Sequence, residues 1–414
     1  MKKTLLLAAL SMPLAHADTV LQLFLPPENS VKEVLINSPE MQQARAKKQA
    51  HEAHANAIDA GNAEFTFHTS RQRRLVPSTS ERYMESTVGI ERPVRLWGKR
   101  EVDKKLAQET TALANIEYAD AIHEASRELL KHWFAGLRAS ALQNNANSAL
   151  EIAKNNERLA SIRFKQGEIS RLDADLAHAE LLRAQAAWQT AQAESLSARA
   201  QITRRYPGLE LPSKTMDQVL HTQSMPNELS DENTLRTDFL SANHELMLLR
   251  KDAQRLQLQG SRTDKDRFPD PTLGIFSTRE RDGAEQITGV NLSFAFPGAA
   301  RSYAAQAALA DALAAEDKVH ATERVLDAEF EALLTQYKHK RSAAMQLQQA
   351  AQSQTQAAEK SRTAFSLGEH SMAEMLQIAR LANDQRLASD LMHLEVLELL
   401  TTIELDLHRI YDFD

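Results

Sequence analysis

The chain has 414 residues, of which 43% are hydrophobic and only 5% aromatic, with 12 glycines, 12 prolines and no cysteine. This composition excludes an all-β protein and predicts a mainly helical one, and the lack of cysteine excludes disulfides, thiolate metal sites and a lipidated N-terminal cysteine. The formal net charge of −7 argues against nucleic acid as a partner.

The first 17 residues, MKKTLLLAALSMPLAHA, have the pattern of a signal peptide. Two lysines precede a short apolar run, and Ala15-His16-Ala17 supplies the small residues that precede a cleavage site. We therefore expect export and a mature chain that begins at Asp18. No later stretch of the sequence is apolar for long enough to predict a membrane-spanning helix.

A helical segment and two short strands are predicted near the start of each half of the chain. The helical segments run from Val31 to Ala60 and from about Asn233 to Gln259. The strands fall within about 62–96 and 271–297. The charged segment RQRRLVPSTSER is expected to link the first two strands, and Asp282-Gly283 to form the turn between the last two.

Long helical hairpins follow the strands in both halves, at about 98–206 and 299–412. Proline is absent between Pro93 and Pro207 and after Pro297, and apolar residues recur three or four positions apart. The first arm of each hairpin would be about 100 Å long at about 1.5 Å per residue. Considered alone, these stretches would favour a free-standing coiled coil.

The two halves align at an offset of about 200 positions, which pairs Gly89 with Gly289 and Gly98 with Gly298. The sequence therefore predicts a signal peptide at 1–17, a first repeat at 18–206, a linker at 207–232 and a second repeat at 233–414. Each repeat combines a strand hairpin with a long helical hairpin, so the expected fold is mainly α with a smaller β part.

Similar turn motifs lie between the arms of the two helical hairpins, FKQGEISRLDADL and FSLGEHSMAEML. Gly167 and Gly368 can adopt the left-handed conformation that ends a helix, and Ser170 and Ser371 can cap the helix that follows. Asp173 and Glu374 lie three residues after these serines, where a carboxylate completes a capping box.

The alternation of apolar and polar residues in the strands indicates that the sheet could face a membrane. Val290, Leu292, Phe294 and Phe296 alternate with small or polar residues, which predicts one apolar face, with Trp97 and Tyr83 near the ends of the apolar stripe like an aromatic girdle. Four strands cannot span a bilayer as an open sheet, because their edges would be unsatisfied, so closure needs several chains. A soluble sheet buried under the helices is the alternative. Arg92 interrupts the stripe, so either it lies near the membrane interface or the predicted register is wrong there.

This organisation resembles the TolC-type outer membrane efflux family across essentially the whole mature chain. The segments RFKQGEISRLDADLAHAELLRAQ and AFSLGEHSMAEMLQIA carry the resemblance at the turns, and IERPVRLWGKR and VNLSFAFPGAARS are most similar to its CzcC-like heavy-metal branch. The resemblance implies a homotrimer with a 12-stranded transmembrane β-barrel in outer-membrane lipid and a periplasmic α-helical barrel. It also implies a periplasmic adaptor (membrane fusion protein) and an inner-membrane RND pump as partners.

The same resemblance implies site residues at the turns. Acidic or polar side chains of the periplasmic entrance would be Asp173, Glu374 and Gln377. Residues of the tips that dock the adaptor would be Lys165, Gln166, Gly167, Glu168, Ser170, Ser366, Leu367, Gly368, Glu369 and Ser371. Helix capping alone would also explain the two acids.

The sequence has none of the enzyme motifs sought, including phosphate-binding loops, GxSxG and HExxH, and the histidines read as scattered surface residues. We therefore expect no enzyme activity, no cofactor and no metal site. The expected function is passive export, with divalent heavy-metal cations as substrate. Drugs or secreted proteins are the alternative cargo, and a periplasmic coiled-coil adaptor or scaffold is the alternative class.

Overall fold

The structure is a computed structural model that describes residues 19–61, 63–212, 225–226, 229 and 231–413. The predicted signal peptide and most of the predicted linker lie outside the described residues. The described helices and strands are α1 Thr19–Gln22, α2 Glu28–Ile36, α3 Pro39–Ala60, β1 Thr66–Val76, β2 Glu81–Pro93, α4 Lys99–Lys165, α5 Arg171–Arg205, α6 Glu232–Ala242, α7 His244–Lys265, β3 Thr272–Glu280, β4 Glu285–Ser293, α8 Ala299–Ser366 and α9 Met372–Asp406. The mainly helical fold class is confirmed.

The long helices lie within the predicted hairpin regions, and the last one ends at Asp406, before the predicted end at 412. Helices α4 and α8 have 67 and 68 residues, and α5 and α9 have 35 each. At about 1.5 Å per residue, α4 and α8 are each about 100 Å long. Among the described residues, no helix combines the length and the apolar character that a membrane crossing requires.

The two leading helical segments are each interrupted, which corrects the predicted continuous helices. The first breaks between α2 and α3, where Pro39 begins the new helix and the Ser38 hydroxyl accepts a hydrogen bond from Met41 N at 3.2 Å. Proline suits the first position of a helix because it has no N–H to satisfy there. The second segment breaks at Asn243, whose backbone is extended between α6 and α7.

The chain divides into two compact units. The first comprises the described parts of residues 1–42, 121–243 and 326–414. Phe239 stacks on Phe330 in this unit, with ring centroids 4.3 Å apart. The indole N–H of Trp133 donates to Phe24 O at 2.7 Å, and Tyr411 donates its hydroxyl to Pro26 O at 2.6 Å. The first bond attaches the N-terminal segment to α4, and the second attaches the C-terminal segment to the N-terminal one.

The second unit comprises the described parts of residues 43–120 and 244–325 and contains a four-stranded antiparallel sheet in the order β1-β2-β3-β4. Strand β1 continues through RQRRLV to Val76 and pairs with β2 along its whole length, so the predicted link RQRRLVPSTSER is reduced to the turn at residues 77–80 and the prediction is wrong for the rest of the segment. The charged side chains of this segment suggested a loop. Pairing with β2, however, satisfies backbone N–H and C=O groups along the segment, and this favours a strand. The predicted turn at Asp282-Gly283 is confirmed, and the Asp282 carboxylate accepts a hydrogen bond from Met84 N at 2.7 Å.

The two faces of the sheet differ in composition. Phe67, Ile90, Ile275 and Val290 occupy one cross-strand row of what we call the apolar face. On the polar face, Thr87 and Thr278 share a hydrogen bond of 3.0 Å, and Asn291 donates to Glu91 at 3.2 Å. In this row, the alternation predicted for the strands extends across all four of them.

Several residues of the predicted apolar stripe lie elsewhere. Tyr83 is on the polar face, where it donates its hydroxyl to Glu81 at 2.5 Å, so its assignment to an aromatic girdle is wrong. Phe294 and Phe296 are exposed but lie beyond Ser293, where β4 ends. Which face a strand residue occupies depends on the register of the strand, and the sequence did not show where each strand begins and ends.

Arg92 lies at the helix-proximal end of the apolar face. It pairs with Leu273, which pairs with Leu292. Its Nε donates to Ala63 O at 2.8 Å, and its guanidinium lies 4.7 Å from the centroid of the Phe65 ring. Arg92 therefore shares a row with Leu292, with which the predicted alignment paired it, so the structure gives no sign of a register error at this position.

A buried ionic cluster joins the strands to the helices in the second unit. Lys99, with a side chain 1% exposed, donates to Phe268 O at 2.7 Å and to Asp270 at 2.8 Å, and lies 3.0 Å from Asp266. Arg262 pairs with both Asp103 and Asp266. Desolvation is the largest influence on Asp266 and raises its pKa, but hydrogen bonds from Arg262 and Lys99 and their charges reverse the effect, so the pKa is lowered overall.

Candidate functional site

The first of the two predicted turns connects the end of α4 to the start of α5. Gly167 adopts φ +78°, its N–H donates to Phe164 O at 3.0 Å, and Glu168 N donates to Arg163 O at 2.9 Å. This pair of bonds is the Schellman arrangement, which requires a residue at positive φ and therefore favours glycine. The Ser170 hydroxyl then accepts a hydrogen bond from Asp173 N at 3.1 Å, and the Asp173 carboxylate accepts one from Ser170 N at 3.3 Å.

The second turn, between α8 and α9, has the same construction. Gly368 adopts φ +82°, its N–H donates to Phe365 O at 3.1 Å, and Glu369 N donates to Ala364 O at 2.9 Å. Ser371 accepts from Glu374 N at 3.2 Å and donates its own N–H to the Glu374 carboxylate at 2.9 Å. Both predicted capping boxes are confirmed.

The two turns are connected through Arg163, which sequence reasoning missed. Its guanidinium nitrogens donate to Phe365 O and Ser366 O, both at 3.3 Å, and lie over the Phe365 ring at 4.9 Å from its centroid. Arg163 thus donates to two carbonyl groups at the C-terminus of α8: Phe365 O, which also accepts from Gly368 N, and Ser366 O. The repeat gave no signal for this role, because the equivalent residue in the second turn is Ala364.

The phenylalanines of the two motifs have different environments. Phe365 is 4% exposed and packs in a cluster with Ala160, Ala177, Met372 and Met375. Phe164, at the equivalent position, is 43% exposed. Leu367 beside the second glycine is 70% exposed. The tip therefore presents apolar side chains from both turns to the solvent, and they extend beyond a small core that holds the turns together. We call the two turns and this core the tip.

The structure brings the predicted docking residues together at the tip. All ten are exposed: Lys165, Gln166, Gly167, Glu168, Ser170, Ser366, Leu367, Gly368, Glu369 and Ser371. Glu168 lies 3.8 Å from Arg163, so part of the charge on this surface is balanced. The role of these exposed residues in docking stays a prediction.

The predicted entrance residues begin the returning helices. Asp173 is half-buried, while Glu374 and Gln377 are exposed. Hydrogen bonds from the Ser371 backbone and then its side chain, together with the nearby His370, lower the pKa of Glu374. Glu374 is therefore ionised near neutral pH while it caps α9, and capping does not consume its charge. His370 itself shares a 3.1 Å hydrogen bond with the buried Ser361.

Comparisons with known proteins identify the architecture. Residues 30–206 match the family described as "Outer membrane efflux protein". No curated protein matches the sequence. Among solved structures, the CmeC outer membrane channel of Campylobacter jejuni has a TM-score of 0.70 and 15% identity, and the match covers 95% of this chain and 86% of CmeC.

Two further channels give similar values. The outer-membrane channel OprN has a TM-score of 0.75 and 18% identity, covering 95% of this chain and 91% of OprN. The outer membrane protein VceC of Vibrio cholerae has a TM-score of 0.70 and 17% identity, covering 94% of this chain and 95% of VceC. The first half of the chain thus matches the efflux family in sequence, and nearly the whole chain has the fold of outer-membrane channels.

Proposed function

We propose that the whole chain belongs to the outer membrane efflux family and forms the passive exit duct of a tripartite efflux system. The observation that carries this proposal is the exposed apolar face of the sheet. Phe67, Ile275 and Val290 lie in one row of it and are 66%, 58% and 81% exposed. A contiguous apolar face of this kind needs a cover, and lipid is the cover that the fold of outer-membrane channels supplies.

The edges of the sheet support assembly from several copies. Among the described strands, β1 and β4 each have one neighbour, so each leaves a row of backbone groups without a strand partner there. Three copies would supply twelve strands and close a barrel in which β4 of one chain pairs with β1 of the next. The helices of the homotrimer would then form a tunnel in the periplasm.

The tip is the proposed end of the tunnel that meets the rest of the system. Its exposed residues would dock the hairpins of a periplasmic adaptor, which connects the duct to an inner-membrane RND pump. Asp173, Glu374 and Gln377 would surround the entrance in all three chains, where ionised carboxylates attract cations. The duct has no catalytic role in this proposal, since the pump supplies the energy.

Divalent heavy-metal cations are the proposed cargo. The support is the resemblance of the strand segments to the heavy-metal branch, the carboxylates at the tip and the net charge of −7. The competing cargoes are drugs and secreted proteins, which would use the same fold. A periplasmic adaptor is disfavoured because an adaptor has no use for an exposed apolar sheet face.

Cell fractionation and accumulation assays test this function in two steps. We expect the protein in the outer membrane, resistant to carbonate extraction, and its recovery from the soluble periplasm would refute the duct. Cells without the protein should then accumulate Zn²⁺, Cd²⁺ or Co²⁺ when challenged. If they accumulate hydrophobic dyes and no metal, the duct stands and the cargo proposal is wrong.

A further inference from the structure

The charges of the four strands are segregated by face. All five glutamates of the strands lie on the polar face: Glu81, Glu85, Glu91, Glu280 and Glu285. Within the described strands, the apolar face has no acidic residue and five arginines: Arg71, Arg73, Arg82, Arg92 and Arg279. A face exposed to lipid is an unfavourable place for an isolated cation, so these arginines require a partner.

Four of these arginines form one patch at the end of the sheet where the strand hairpins turn. Arg71 and Arg279 flank Ser86 in one cross-strand row, about 10 Å apart at the usual strand spacing. Arg73 is in the next row, opposite Met84, and Arg82 in the row after that, opposite Leu75. We call Arg71, Arg73, Arg82 and Arg279 the arginine patch. Its first row lies about 13 Å beyond Ile90, toward the turns.

The arginine patch has no partner in the described part of the chain, while its neighbours do. All four side chains are exposed, and no ion pair joins them to a described carboxylate. Arg74, on the polar face of the same strand, pairs with Glu85 at 2.9 Å, and Arg281 in the turn pairs with Glu285 at 3.2 Å. Arg92 has its carbonyl and aromatic partners at the opposite end of the sheet. These other arginines thus have partners within the described part of the chain, whereas the four arginines of the patch do not.

We propose that the arginine patch binds the phosphate groups of an anionic glycolipid in the outer leaflet of the membrane. This inference rests on the proposed function, because periplasmic helices place the hairpin turns of the sheet at the outer surface. An arginine stem can lie along the apolar face while its guanidinium reaches the headgroup level. The fork of the guanidinium matches two phosphate oxygens, and four of them face one headgroup region.

The test uses the intact protein purified in mild detergent and stripped of lipid. The probes are lipid A with its phosphates, lipid A from which the phosphates have been removed, and inorganic phosphate, each added while Tm is measured. We expect phosphorylated lipid A to raise Tm and the other two probes to leave it nearly unchanged. An equal rise with dephosphorylated lipid A, or with inorganic phosphate, would overturn the proposal.

Variants of the arginine patch test whether it causes the rise in Tm. The variant R71Q/R73Q/R82Q/R279Q should lose most of the rise in Tm, and the matched lysine variant should keep part of it, because lysine retains the charge without the fork. A control variant, R158Q/R204Q, removes two exposed arginines from the helices and should respond like the wild type. If the glutamine variant does not fold, the four single variants replace it, and a full response in all four would overturn the proposal. If the protein is found in the outer membrane but its Tm does not respond to lipid A, this inference is wrong and the proposed exit-duct function still stands.

Discussion

Arg163 and Phe365, 202 positions apart in sequence, are joined by both a hydrogen bond and a ring contact. The guanidinium donates to Phe365 O at 3.3 Å and lies 4.9 Å from the ring centroid. The contact ties the end of α4 to the end of α8, so the two turns of the tip are one structural unit. A surface that docks a partner benefits from this rigidity, because less freedom is lost on binding.

Replacing Arg163 should therefore loosen the tip. We expect Arg163→Ala to cost about 1–2 kcal/mol, from a cation–π contact and two hydrogen bonds to carbonyl groups. Hydrogen exchange of residues 364–370 should accelerate, with little change in the strands. Arg158→Ala, one turn earlier and exposed, is the matched control. Unchanged exchange at 364–370 would show that Arg163 does not hold the second turn.

The charge and the capping role of Glu374 can be separated. Glu374→Gln retains an oxygen that can accept from Ser371 N, but it removes a negative charge from each chain at the proposed entrance. We expect weaker cation selectivity and weaker block by divalent ions in planar bilayers, with the trimer retained. Ser371→Ala should instead cost about 1 kcal/mol per helix and affect docking more than selectivity. If Glu374→Gln leaves conductance, selectivity and divalent block unchanged, Glu374 is only a cap.

Glu374 also predicts a pH dependence of the tip. Its pKa in the folded protein is lowered below the usual 4.5, mainly by hydrogen bonds from Ser371. The stabilisation is therefore fully present above about pH 4.5 and is lost as the pH falls through the lowered value. Hydrogen exchange at the start of α9, corrected for its intrinsic rate, should increase only below pH 4.5. Glu374→Gln should remove the part of this dependence that Glu374 contributes.

The buried cluster around Lys99 should be essential for the junction of strands and helices. Lys99→Met leaves Asp270 and Asp266 without the ammonium that lies between them, so we expect a loss of about 3–5 kcal/mol. The exposed neighbour Lys104 is the control, and Lys104→Met should change stability by no more than about 0.5 kcal/mol. The measurement is the thermal unfolding of the assembly in detergent. Equal effects of the two substitutions would mean that Lys99 is not a structural cation.

Cross-linking can count the chains in the barrel. The sequence has no cysteine, so Thr69→Cys in β1 and Thr288→Cys in β4 introduce unique thiols on the same row at opposite edges of the sheet. If edge strands of neighbouring chains pair, a short bifunctional thiol reagent should give a ladder that ends at three chains. The single variants should stop at dimers at most. A ladder that ends at two chains with the double variant would contradict the trimer.

Features that depend on residues close together in the chain were predictable from the sequence. The glycine, serine and acid of each turn are within a few positions of one another, so their hydrogen bonds follow from the order of the chain. Gly167 with Ser170, and Gly368 with Ser371, were therefore predictable from spacing. The long helices followed from the same local logic, since proline is absent and apolar residues keep the helical period.

Residues at equivalent positions of the two repeats have different environments, and these depend on contacts between distant parts of the chain. Phe164 and Phe365 occupy the same position in the two turn motifs, but Phe164 is exposed and Phe365 is buried beside Arg163. Strand pairing likewise placed Tyr83 on the polar face and extended β1 through its arginines. These outcomes depend on contacts between residues far apart in sequence and on the start of each strand, and a local pattern carries no information about either. The arginine patch follows from the same cause, because it exists only where the register of three strands aligns its members on one face.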